Sequence, residues 1–318
     1  MKKFYQLICF LIISSPVVAK TKVKTDLSIS RANGSIIDYY IYKHSDNKIT
    51  KELLLILQGS DCNSVLQLKP IFNSYANVWP KADILLVEKY GIDKALAYSA
   101  NAERNDCPIP YINNDNPYQR LEDIKAVLKT VRADHKYEKL IVLGGSEGAV
   151  IANMLAAENL QIDATIAFNG GGRWFIDDVI HSISSDDNQS IQDIENSIKG
   201  FNAFSQHIIN SEPFELQMSG HGYGWWKQML SIDQQSLLNK ANTPILIVQG
   251  GIDKSVSPQK VNEMISALEK QGKNNIEYLF YENLDHNFKD AKDVKKVNIV
   301  VSDMNRWLNA VLEFNRVR

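Results

Sequence analysis

Three side chains of this chain, Ser146, Asp253 and His286, are of the types that together carry out attack on an acyl carbon, and each stands where a strand-like run gives way to a turn. Ser146 has the most specific surroundings. The run Leu140-Ile-Val-Leu-Gly-Gly-Ser-Glu-Gly148 leads apolar, partly β-branched residues into Gly144-x-Ser146-x-Gly148, and Ala149 to Ala156 continues as helix-forming sequence. A serine at the apex of such a strand-turn-helix is lifted above the sheet, and both flanking positions require glycine because a Cβ there would meet the neighbouring strand or helix. A serine hydroxyl is a weak nucleophile at neutral pH. An imidazole must take its proton and later hand it to the leaving group, and a carboxylate must hold that imidazole in the matching tautomer. His286, in Asn283-Leu-Asp-His286-Asn-Phe288, is the expected base, and Asp253, after Val248-Gln-Gly-Gly-Ile252, the expected acid. Asp285 competes for that role, but adjacent side chains rarely turn back onto one imidazole. The oxygen that becomes negative during attack needs amide donors, here the N–H of Glu147 and one from the turn Gln58-Gly59-Ser60-Asp61, at Ser60 or Asp61. One such donor is typically worth about 3–4 kcal/mol of barrier.

For these groups to meet, the strands that carry them must lie side by side with their carboxyl ends together. The pattern predicts that arrangement. Leu27 to Tyr42 holds two alternating runs around Asn33-Gly34, a hairpin signal that predicts antiparallel edge strands. Leu53–Leu57 and Ile84–Val87 are continuous apolar runs, as expected of strands covered on both faces, and Leu140–Leu143, Ala164–Phe168, Pro244–Gln249 and Ile276–Phe280 read as the strands that follow. Helical sequence separates them over Leu66–Val78, Pro117–Ala133, Pro258–Lys270 and Val300–Phe314, so strand and helix alternate. The expected fold is α/β, a mostly parallel central sheet with helices on both faces. Residues 20–172 and 242–318 supply it, and 173–241, polar and irregular with scattered aromatics, read as an inserted, mainly helical cap. The aromatics between Trp174 and Trp226 either line a substrate pocket or form the cap's own core. Gly170-Gly-Gly172 lacks a phosphate-loop pattern and reads as a flexible exit to the cap.

With 318 residues, 44% apolar and 23% charged, the composition is that of an ordinary globular chain. Lys2-Lys3, an apolar stretch over Phe4–Ile13 and the small residues up to Ala19 read as a secretory signal at 1–19, which predicts a periplasmic or secreted protein. The apolar stretch is about half the roughly twenty residues that span a bilayer, so no lasting membrane anchor is expected. Cleavage removes Lys2 and Lys3 and no acid, taking the net charge from −2 to −4. That mildly acidic balance argues against nucleic acid as a partner. Cys9 leaves with the signal, and Cys62 and Cys107 remain as the expected disulfide. With no Cys-x-x-Cys and no histidine pair at ligand spacing, neither a metal nor another cofactor is expected. The histidines before Asp253, namely His44, His135, His181, His207 and His221, read as structural or surface groups, with His221 also placed to touch substrate from the cap.

Taken together, the strand leading to Gly144-Gly-Ser-Glu-Gly148, then Asp253, then His286, resemble the α/β-hydrolase superfamily over nearly all of the chain. The Gly-Gly-Ser-x-Gly elbow and the Gln-Gly-Gly-x-Asp253 turn are similar to its prolyl-oligopeptidase-like and serine-aminopeptidase-like branches, without their propeller domain. Those branches often carry His-Gly-Gly at the oxyanion strand and two glycines after the variable residue, where this chain has Gln58-Gly59-Ser60 and Gly148-Ala149. The resemblance implies a serine hydrolase acting through an acyl-enzyme on a small carboxylic ester. A peptidase releasing amino acids or dipeptides is the alternative, with Glu147 or Asp61 receiving the substrate amine. A non-catalytic envelope protein that keeps the fold is the other.

Overall fold

The computed structural model describes residues 22–43, 50–101, 104–158 and 160–314. The expected signal at 1–19 and His44 lie outside these residues. In chain order the elements are β1 (Lys22–Ser30), β2 (Ile36–Lys43), β3 (Glu52–Leu57), α1 (Lys69–Asn73), β4 (Asp83–Val87), α2 (Ile109–Asn114) and α3 (Pro117–Asp134). Then follow β5 (Lys139–Gly145), α4 (Glu147–Ala157), β6 (Ala164–Phe168), α5 (Phe175–Ser184), α6 (Ile191–Asn210), α7 (Tyr223–Met229) and α8 (Gln234–Lys240). The chain closes with β7 (Ile245–Gly250), α9 (Pro258–Lys270), β8 (Ile276–Tyr281) and α10 (Val297–Phe314). Among the described residues no helix is long and apolar enough to cross a membrane.

The strands form one eight-stranded sheet in the order β1-β2-β4-β3-β5-β6-β7-β8. Pairing is antiparallel at β1–β2 and β2–β4 and parallel from β4 through β8. This is the expected mostly parallel α/β sheet. Its central strands are apolar on both faces because helices cover both. On one side Leu53, Leu55, Val142 and Val150 pack with Leu121, Val127 and Val131 of α3. On the other, Leu54, Ile56, Ile141 and Leu143 pack with Val300, Met304 and Leu308 of α10. The sheet thereby aligns the carboxyl ends of β3, β5, β7 and β8, from which the Ser60, Ser146, Asp253 and His286 turns emerge.

Four expectations need correction. Of the two hairpin strands only β1 lies at an edge; β2 lies between β1 and β4, because β4 offers β2 its free edge once β3 has taken the other. The stretch 66–78 is a 3-10 turn, the five-residue α1 and a second 3-10 turn, rather than one helix. Aromatic packing sets its course, with Phe72 4.7 Å from Tyr42 and Tyr75 stacked 4.8 Å from Phe168, so the chain bends at Ser74 to seat both rings. Gly170–Gly172 is no loose exit: Gly171 and Gly172 are buried, and the Gly172 N–H donates to the Asp178 carboxylate at 3.2 Å. Finally, 173–241 holds four helices, of which the last, α8, packs in the helix layer of the sheet, with Leu238 in the cluster of Ala149 and Val261. Aromatics of the other three knit together, with the Trp226 ring 5.2 Å from Phe204 and 5.1 Å from Trp225.

Candidate active site

Ser146 sits between β5 and α4 with φ 56° and ψ −127°, a left-handed conformation that a side-chain-bearing residue holds only when its surroundings enforce it. Its N–H is held by Phe168 O at 3.0 Å. The glycines are needed for contact: a Cβ at Gly144 would lie 2.0 Å from Gly148 O, and one at Gly148 would lie 2.4 Å from Leu57 O. Strand β3 and helix α4 therefore approach as backbone on backbone, which brings the β3 turn to the serine. A Cβ at Gly59 would stand 3.4 Å from Ser146 Cβ.

Asp253 lies beyond β7, fully buried, and each of its carboxylate oxygens has two partners. Oδ1 accepts from the Ser255 and Val256 N–H groups at 2.8 and 3.1 Å. Oδ2 lies 2.8 Å from His286 Nδ1 and 3.2 Å from Gln249 Nε2. Since a carboxylate only accepts, Nδ1 donates and Nε2 is left to face outward. Two residues on, Phe288 is completely buried with its ring 5.6 Å from that of Phe168, which anchors the turn that carries His286. Ser146 and His286 line one cavity of about 470 Å³ together with Ser60, Glu147 and the aromatic rings of Phe175, Trp225 and Trp226. No hydrogen bond joins Ser146 Oγ to the imidazole in this structure, a contact that often tightens only around substrate.

Of the expected oxyanion donors, neither the Ser60 nor the Glu147 N–H pairs with a backbone carbonyl among the described residues, and both residues line the cavity. Asp61 does not line it; its carboxylate accepts from the Asn63 N–H at 2.8 Å and shapes the turn. Cys62 and Cys107 form a disulfide just beyond that turn. The Glu147 carboxylate points into the protein. It is ion-paired with Arg120 and accepts from Trp225 Nε1 at 2.9 Å. Burial alone would raise its pKa, but the Lys89 ammonium and the Arg120 guanidinium outweigh that and hold it below the usual carboxylate range.

Several positioning groups carried no local signal. Lys89, 2% exposed, donates to Gly59 O at 2.7 Å and to Asp61 O at 2.8 Å, fastening the β3 turn to the end of β4. Asn169 donates to His286 O at 2.8 Å and accepts from the Gly250 N–H at 2.9 Å, so it spans the turns of the base and the acid. From α5, His181 Nε2 donates to Asp253 O at 2.8 Å, and Asp178 accepts from the Ser257 N–H at 2.9 Å. Burial raises the Asp178 carboxyl to about 7. Only the unusual Asn-Gly-Gly-Gly run at a strand end offered a hint, at Asn169.

The site agrees with what the chain is similar to. Its fold matches a Pyrococcus furiosus esterase at 12% identity and TM-score 0.59, over 98% of each chain. It also matches Est1E from Butyrivibrio proteoclasticus, solved with ferulic acid bound, at 16% identity and TM-score 0.61, over 91% of this chain and 100% of that one. A putative dienelactone hydrolase from Klebsiella pneumoniae follows at 15% identity and TM-score 0.57, over 92% and 99%. No curated protein sequence matches the chain. The family described as BAAT / acyl-CoA thioester hydrolase C terminal matches residues 130–290, half of the chain, a span that runs from α3 past His286 and includes Ser146 and Asp253. The chain belongs to this family, within the α/β-hydrolase superfamily, and is a serine hydrolase.

Proposed function

We propose that the protein is an exported esterase that cleaves small carboxylic esters through an acyl-enzyme formed on Ser146. Ser146 Oγ attacks the ester carbonyl while His286 Nε2 takes its proton, and Asp253 holds the imidazole and the positive charge it gains. The carbonyl oxygen, now negative, receives the N–H groups of Ser60 and Glu147. Collapse of the tetrahedral state expels the alcohol, to which His286 gives the proton, and a water activated by the same imidazole then releases the acid. The observation that carries this reading is the 2.8 Å Asp253–His286 hydrogen bond beside a cavity shared with a serine held at positive φ.

Ester rather than amide is favoured by the fate of the carboxylates that were to receive a substrate amine. Glu147 is neutralised by Arg120, and the Asp61 side chain is engaged by its own turn. The names of the similar esterases support the same substrate class. Export is supported by the disulfide, which persists in oxidising compartments. The test is a fluorophosphonate probe with adduct mapping, followed by p-nitrophenyl esters against aminoacyl-p-nitroanilides. Labelling at Ser146 that disappears in Ser146→Ala, with ester turnover well above amide turnover, is the expected result. Labelling elsewhere, or preferential anilide cleavage, overturns it.

A further inference from the structure

We propose that His221 is a recognition residue of the cavity over Ser146, accepting a hydrogen bond from a hydroxyl or N–H carried on an aromatic part of the substrate. The assignment rests on the esterase reading of that cavity and adds the kind of ester it takes. It begins with a proton count. The Tyr111 hydroxyl lies 3.2 Å from Ser60 O and 3.2 Å from His221 Nδ1. A carbonyl only accepts, so the one phenolic proton goes to Ser60, and the phenolic oxygen accepts from Nδ1–H. The ring's proton is therefore on Nδ1 and its lone pair on Nε2. Burial lowers the pKa of His221 to about 3, with Glu147 opposing and Lys89 adding to the effect, so the ring stays neutral at working pH and Nε2 remains an acceptor.

His221 is 5% exposed and lines the cavity, and among the described residues Nε2 has no hydrogen-bond partner. Opening on the cavity with no protein donor, this acceptor takes its hydrogen bond from whatever occupies the cavity, and a substrate group that covers it without donating leaves it unsatisfied. Its mounting is firm. The imidazole stacks on Trp225 with centroids 3.7 Å apart and planes at 10°, and Trp225 is in turn bonded to Glu147, the residue after the nucleophile. Ser182, Ser219 and Ser255 also reach the cavity, but a hydroxyl donates or accepts as needed and imposes no sign. His221 in this tautomer accepts only. With Phe175, Trp226 and Met229 as neighbouring walls, a flat ring bearing a donor at its edge satisfies both the apolar faces and the lone pair.

The experiment uses the purified, disulfide-bonded protein and matched ester pairs, hydroxyphenyl against methoxyphenyl, with the ring on the acyl side in one series and on the alcohol side in another. At least one pair is expected to show kcat/KM about tenfold or more in favour of the hydroxyl, since the methoxy analogue leaves a buried acceptor unmet. That ratio should fall to near one in His221→Phe and be partly restored in His221→Gln, which keeps an acceptor. A loss of rate with the ratio unchanged would mean a structural role and overturns the assignment. The wild-type ratios stand whether or not a variant folds, so ratios near one for every pair overturn it on their own. Fluorophosphonate labelling of Ser146 with flat ratios rejects the role of His221 alone, whereas absence of both labelling and ester turnover rejects the esterase reading beneath it.

Discussion

Asp253 shows how much a single side chain is asked to do. One of its oxygens orients His286 while the other closes its own turn through the N–H groups of Ser255 and Val256. An Asp253→Asn variant keeps an oxygen for the turn but turns an amide N–H toward Nδ1, which forces the imidazole into the other tautomer. We expect kcat on esters to fall by about 10⁴ with little change in melting temperature. Loss of folding alongside activity would show that the turn, rather than the tautomer, was at stake. The positions of Ser146, Asp253 and His286 were legible in the sequence because each sits just past an apolar run that announces a strand end. Lys89, Asn169, Arg120 and His181 were not, because nothing in their neighbours reveals that a fold places them against carbonyls or carboxylates far along the chain. The Tyr111–His221 pair, 110 residues apart, is of the same kind.

At the scale of elements, the β3 turn depends on two ties that hold it from outside. Lys89 grips the carbonyls of Gly59 and Asp61 from the end of β4, and Cys62 is bonded to Cys107 across 45 residues of sequence. Lys89→Met removes two charge-assisted hydrogen bonds while filling the same volume. It should lower kcat by about ten- to a hundredfold, short of the full loss of an oxyanion donor, and leave KM nearly unchanged. A rise in KM at constant kcat would place Lys89 in substrate binding instead. Reduction of the disulfide should slow turnover before the protein unfolds, and in denaturant it should lower stability by about 4 kcal/mol on the chain-entropy view. Unchanged kinetics in reductant would separate the disulfide from the turn. Elements whose signal was local, such as α9 with its Ser257 cap and Pro258, were legible to the residue. The broken stretch around α1, the short α2 and the place of α8 were not, since ring packing and sheet coverage decided them.

Over the whole molecule, buried titratable groups set how stability answers to pH. Burial raises Glu88 and Asp178 from ordinary carboxylate values to about 7, and raises Asp115 against the pull of Lys89. For an acid with a raised folded pKa, the native state holds a proton that the unfolded chain has already released. Stability is then greatest below the unfolded pKa and is lost as pH climbs toward 7. His221 has the opposite sign. With its folded pKa near 3 against 6.5, the unfolded chain binds the extra proton, and stability grows with pH across that interval. Glu147, held low, has contributed all it can once pH exceeds its unfolded 4.5. Three carboxyls thus oppose one imidazole between about pH 5 and 7, each proton counting for about 1.4 kcal/mol per pH unit. The urea midpoint should fall across that range at constant ionic strength. Glu88→Gln, whose one oxygen can accept from the Val65 N–H while its amide donates to the Ser64 hydroxyl oxygen, should make the decline shallower. A midpoint that rises from pH 5 to 7 would mean that these carboxyls are ionised in the native protein, with water or a counter-charge reaching them beneath the sheet ends that carry Ser60 and Ser146.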